Sequence, residues 1–144
     1  MREIEFRGKR LSDREWIYGY YVSYDAGEAS RKHEIIFTTG NWDYVDPETV
    51  GQYIGLKDKN GNKIYDGDIV TSKKYPFQDE EKHNYHGIIC WLEDALGWCV
   101  TLMLVNSEKL GISHGIRESL EEYMDYQLEV IGNIHDNPEL LEVK

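Results

Sequence analysis

The sequence predicts an all-β protein with short helical turns, on three observations. Tyr-, Val- and Ile-rich runs alternate with a period of two, the pattern of half-buried strands. Gly, Asn and Asp clusters punctuate those runs. The helix-start signals, Asp46-Pro47 and Asn137-Pro138, each precede only a few residues. With 144 residues, 40% of them hydrophobic and 12% aromatic, the chain is long enough for one folded domain, or for two small subdomains sharing a core.

In order along the chain, Glu3–Phe6 alternates and reads as a short first strand. Glu15–Tyr24 is a longer one. There Trp16, Tyr18, Tyr20, Val22 and Tyr24 share one face, and Ile17, Tyr21 and Ser23 share the other. Asp25-Ala26-Gly27 ends it, and His33–Thr38 is expected to return as its hairpin partner. Asp46 as a cap, Pro47 in first position and Gly51 as a stop predict a single helical turn. Gln52–Leu56 is a strand, and Ile64–Tyr65 opens the next.

Asp66-Gly67-Asp68 then feeds the apolar Ile69-Val70. Lys73–Asn84 is polar, broken at Pro76-Phe77, and reads as a long loop. Tyr85–Leu92 and Trp98–Val105 are strands joined by Glu93–Gly97. In 106–126 the spacing of Ile116, Leu120 and Met124, with Ser119 and Glu122 as a capping box, suits a short helix. Leu128–Ile134 is the final strand, and Asn137–Glu142 a short terminal helix.

Charge narrows the function. Sixteen basic residues stand against 27 acidic ones, a net charge of −11. Residues 1–72 carry 10 basic and 13 acidic side chains, and 73–144 carry 6 and 14. Phosphate neutralisation needs a basic face, so nucleic-acid binding is disfavoured. An acidic surface suits solubility, a basic protein partner or mimicry of DNA, and a plain solvated surface is the expectation. No apolar run is long enough to span a bilayer and the N-terminus has no apolar signal core, so no membrane association and a cytosolic location are expected. Cys90 and Cys99 are expected as thiols in a reducing compartment.

Several stretches invite a chemical reading. Residues 58–62, Asp-Lys-Asn-Gly-Asn, resemble the start of a calcium loop. Counting from Asp58, however, Lys63 falls at the glycine position and Ile69 at that of the bidentate glutamate. A hairpin turn at Asn60-Gly61 is the better reading. His83, His86, Cys90 and Cys99 include zinc-type ligands. On an extended strand His86 and Cys90 lie about 13 Å apart, too far to share one ion. Pairing about Asp94–Ala95 instead sets Cys90 opposite Cys99 and Trp91 opposite Trp98. No nucleophile-elbow, phosphate-loop or dinucleotide motif occurs. No catalytic residue, metal ligand or cofactor is therefore expected.

The row Trp16, Tyr18, Tyr20 and Tyr24 has two readings: the inner wall of a small barrel, which half of any barrel strand must form, or a stacking surface. The inward reading is the expectation. The outward one is kept as a candidate binding surface, made of Arg7, Lys9, Arg10, Arg14, Trp16, Tyr18 and Tyr20, because the chain's main basic cluster directly precedes the row.

Three blocks carry a resemblance: Ile4–Gly8 with Trp16–Gly19, VDPETVGQYIGLKDKNGNKIYDGDIV at 45–70, and EVIGNIHDNPELLE at 129–142. Together they resemble the YopX family of small phage- and prophage-encoded proteins, with looser similarity over 73–126. Ile54 stands where many relatives have Thr. The resemblance implies an N-terminal barrel-like subdomain, 1–65, and a C-terminal SH3-like barrel with a short helix, 66–144, forming one compact unit. It brings no activity and no catalytic residue. The expected role is a non-enzymatic accessory protein in the bacterial host's cytoplasm that binds a host or phage protein through Lys73–Asn84 and Glu93–Gly97, whereas the basic-aromatic cluster is the surface expected for nucleic acid. Nucleic-acid association is the alternative, and homo-oligomerisation is left open.

Overall fold

The computed structural model describes residues 2–27, 30–73, 77, 85–94, 96–104, 110–115 and 127–141. These are mostly strand, in two antiparallel sheets, with two short 3-10 turns. The chain divides into two compact units, Met1–Gly55 and Leu56–Lys144. The seam read from the sequence at 65/66 lies on the other side of the Asn60-Gly61 turn from this division.

In the first unit, β1 (Phe6–Lys9), β2 (Trp16–Asp25), β3 (Arg31–Ile36) and β4 (Trp42–Tyr44) form consecutive antiparallel hairpins. The start of β5 (Gly51–Lys57) pairs with the free side of β1, at Gly51 and Gln52. The first strand thus runs over Phe6–Lys9, not Glu3–Phe6, because the loop closing β1 to β2 sets Lys9 opposite Trp16. Arg14 takes a left-handed φ of 62° in that loop, and its N–H donates to the Arg10 carbonyl. The third strand is likewise displaced from His33–Thr38 to Arg31–Ile36. The tight turn Phe37–Asn41, with Gly40 at φ 91°, takes its last residues. β4 is too short for a periodicity to reveal.

One face of this sheet forms the unit's core. Ile17, Ile35 and Val45 are buried there against Phe6, Tyr21, Phe37 and Val50. Gly19 lies opposite Phe6 because no side chain fits: a Cβ would sit 2.1 Å from the Ile36 carbonyl oxygen. The helical turn is a 3-10 turn, Pro47–Thr49, capped by the Asp46 side chain. Thr49 Oγ1 accepts from the Lys9 N–H and donates to the Asp46 carbonyl, fastening the turn to the end of β1.

The second unit begins within β5, whose end turns back as β6 (Lys63–Tyr65). Gly61, at φ 83°, makes the turn, and Asp58 N–H donates to the Asn62 carbonyl across it. The second sheet has the order β10-β9-β8-β7-β11, with β7 Asp68–Thr71, β8 Tyr85–Leu92, β9 Gly97–Leu104, β10 Leu110–Gly115 and β11 Glu129–Asn133. Ile64, Ile69, Val70, Phe77, Ile89 and Val100 are essentially fully buried. Each such side chain contributes roughly 2 kcal/mol by leaving water. Cys90 pairs with Cys99 and Trp91 with Trp98, the register read from the sequence. The terminal helix is a 3-10 turn, Pro138–Leu141. β10 occupies part of the span read as helix-forming, and the rest of that helix, 116–124, lies outside the described residues. So does most of the loop Lys73–Asn84.

Candidate functional site

Register decides which side chains meet. In an antiparallel sheet, directly paired residues project from the same face. Five rows therefore cross the face of the first sheet opposite its core. They are Lys9–Trp16, Arg7–Tyr18, Tyr20–Ile36–Trp42, Val22–Glu34–Tyr44 and Tyr24–Lys32. From Trp16 to Tyr24 the rows span about 27 Å.

This overturns the inward reading of the aromatic row. Tyr18, Tyr20, Tyr24 and Trp42 remain 46%, 55%, 40% and 51% exposed, whereas Ile17 and Ile35, on the other face, are buried. The reason lies in β1. Phe6 and the glycine at position 8 supply the apolar, closely approached side of the sheet, and the cationic Arg7 and Lys9 fall on the other side. Strand pairing carries the aromatics of β2 along with those two cations. The row was more hydrophobic than its alternate, but its neighbours determined its side.

Cations and rings are already engaged at the margins. The Arg7 guanidinium carbon stands 4.6 Å from the Trp16 ring centroid and Lys9 Nζ 5.4 Å from it. At the other end Lys32 Nζ stands 5.6 Å from the Tyr44 ring. Trp42 and Tyr44 meet edge to face at 5.1 Å. The Tyr24 hydroxyl donates to Glu34 Oε1 at 2.6 Å. That bond, with some desolvation and the Glu34 charge, pushes the Tyr24 phenol up to about 12. Of the sequence candidates, the fold brings Arg7, Lys9, Trp16, Tyr18 and Tyr20 together.

Arg10 and Arg14 are not part of this face. Arg10 bonds to Asp13 at 3.1 Å and to Asp43 at 3.0 Å, and Arg14 bonds to Asp46 at 2.9 Å. Their charges knit the β1–β2 loop to the neighbouring turns. Trp42, Tyr44, Ile36, Lys32 and Glu34 were missed by sequence reasoning. The clue for the first two was the Thr39-Gly40-Asn41 turn, after which Trp42 and Tyr44 fall on one side.

The other chemical candidates have structural roles. The Asp58 carboxylate accepts from the N–H groups of Asn60, Asn62 and Val130 and from Asn62 Nδ2. His86 Nδ1 meets the Leu140 carbonyl at 2.8 Å, tying down the last turn. Cys90 Sγ lies near Thr101 Oγ1, and Cys99 is buried. A cavity of about 100 Å³ lined by Leu56, Asp58, Ile64 and Leu128 is well below the size of usual ligand sites. Among the described residues no three His, Cys, Asp or Glu side chains cluster as metal ligands, and no helix is long and apolar enough to cross a membrane.

The fold and this face define an all-β protein that presents an exposed aromatic sheet surface. A family model described as YopX protein matches residues 5–142, nearly the whole chain, and the chain belongs to that family. It is also similar to the crystal structure of protein EF1440 from Enterococcus faecalis, at 22% identity and a TM-score of 0.49, covering 99% of this chain and 100% of that one. No curated protein matches.

Proposed function

We propose that this YopX-family chain is a non-catalytic accessory protein that docks a host or phage protein in the bacterial cytoplasm, using the aromatic face of its first sheet. The observation that carries this reading is the solvent-exposed run of Tyr18, Tyr20, Tyr24 and Trp42 on three paired strands. Tyrosine and tryptophan are among the side chains that dominate binding energy at protein interfaces, because they bury large areas at small entropic cost. The second sheet, five antiparallel strands among the described residues, is read as part of the SH3-like barrel that the family resemblance implies.

Nucleic-acid association is less well supported. It relied on Arg7, Lys9, Arg10 and Arg14 as one cluster, and two of those arginines are held in ion pairs off the aromatic face while Arg7 is 7% exposed. The test is affinity capture from infected or induced bacterial cells, with the wild-type chain and a Tyr20→Ala/Trp42→Ala variant side by side. A protein retained by the wild type and lost with the variant is the expected result. Retention that ignores the two substitutions counts against this face, and nuclease-sensitive retention counts for the alternative.

A further inference from the structure

We infer that Cys90 and Cys99 form a redox switch: hydrogen peroxide joins them in a cross-strand disulfide that locks the β8–β9 hairpin, and a thiol reductant reopens it. The device lies in the second sheet and does not depend on the docking reading above.

Register carries the inference. Cys90 and Cys99 are direct partners in the β8–β9 ladder, and both are thiols. Opposed residues of an antiparallel pair project from one face with Cα atoms roughly 4.5–5.5 Å apart, inside the roughly 4.4–6.8 Å that a disulfide spans. The ladder runs unbroken from Tyr85–Leu104 to Leu92–Gly97, so the thiols cannot slip out of register without turning every side chain over. The flanking pairs pin it further: Ile89 and Val100 are fully buried, and Trp91 and Trp98 meet edge to face at 5.3 Å. The sulfur contacts with neighbouring oxygens are weak ones. Cys90 Sγ lies 3.5 Å from Thr101 Oγ1, away from the hairpin loop, and the Cys99 thiol donates to the Gly97 carbonyl at 3.8 Å, toward it. Rotation about the two Cα–Cβ bonds exchanges these contacts for an S–S bond.

Exposure divides the roles. Cys90 is half-buried and Cys99 only 2% exposed, so Cys90 is the sulfur that peroxide reaches. The Cys90 sulfur attacks one peroxide oxygen, the O–O bond breaks, and a sulfenic acid and one water result. The Cys99 sulfur then attacks that sulfenic sulfur, the S–O bond breaks, the S–S bond forms, and a second water leaves. The two sulfurs give two electrons to one hydrogen peroxide, and both thiol protons depart in the waters. A disulfide half open to solvent is of the labile kind that a thiol reductant readily reopens.

The experiment treats the reduced full chain with hydrogen peroxide and follows intact mass, thiol content after denaturation, and hydrogen exchange. Wild type should lose both thiols together and the mass of two hydrogens, remain a monomer, and recover with dithiothreitol. Amide exchange in β8 and β9 should slow by about tenfold or more in the oxidised chain. Cys99→Ala should leave Cys90 as a sulfenic acid that dimedone traps, and Cys90→Ser should leave Cys99 a thiol. Unchanged melting temperatures of the reduced variants verify that both fold. Disulfide-linked dimers, a Cys90 dimedone adduct as abundant in wild type as in Cys99→Ala, or closure only in denaturant would each overturn the inference. So would a disulfide that leaves amide exchange unchanged, since it would lock nothing.

Discussion

Asp58 is the residue on which the β5–β6 hairpin turns. Burial pushes its carboxyl up, but the N–H groups of Val130, Asn62 and Asn60 and the Asn62 side chain outweigh that, leaving it below its ordinary value of 3.8. A depressed carboxylate contributes stability above its unfolded pKa and loses it as pH falls through the folded value. Asp58→Asn should therefore destabilise the chain by about 1–3 kcal/mol at neutral pH. Its deficit relative to wild type should shrink below about pH 4, measured by urea unfolding across pH. Tyr24 shifts the other way. Its hydrogen bond to Glu34 is present below the unfolded phenol's pKa and is lost as pH rises through about 12. Ultraviolet titration should lose a late-ionising component in Tyr24→Phe relative to wild type. Gly19 has no tolerance at all: Gly19→Ala drives a methyl into the Ile36 carbonyl and should cost at least about 2 kcal/mol in chemical denaturation.

At the scale of elements, β2 shows what a sequence pattern contains. Alternation separates Trp16, Tyr18 and Tyr20 from Ile17 and Tyr21 without saying which set faces the core. Side was settled by pairing with β1, a relation between segments that no single-strand pattern holds. Turns were more legible, since Gly61 at φ 83° and the Asp46 cap act through local geometry. β4 was invisible because three residues cannot show a period, and with it Trp42 of the row Tyr20–Ile36–Trp42. The assignment of faces makes opposite predictions for neighbours on one strand. Ile17→Ala should cost about 2–4 kcal/mol, whereas Tyr20→Ala should stay within about 0.5–1 kcal/mol, both read from denaturant midpoints.

For the whole molecule, charge matters in a way that no single contact expresses. The first unit holds 7 basic and 10 acidic residues, the second 9 and 17. Exposed ion pairs such as Arg31–Asp25 and Lys59–Glu129 are individually worth under about 1 kcal/mol. Self-repulsion of an excess of 11 negative charges outweighs them. Raising salt from about 10 mM to 150 mM should raise the melting temperature, because screening at these strengths reaches distances of roughly 30 to 8 Å. A fall would mean that attractive pairs dominate.

The pairing of β7 with β11 sets an order of events as well as a shape. Asp68 lies opposite Asn133, 65 positions later in the chain, and Val130 N–H closes on Asp58 across 72. On the ribosome, one side of Ile69 and Val70 waits without its partner strand until β11 has emerged from the exit tunnel. A nascent chain arrested before Glu129 would therefore expose that edge of β7 to other unpaired strands. Completion of the second sheet therefore waits on a distant strand pairing, and is slow in the way that such pairings are slow.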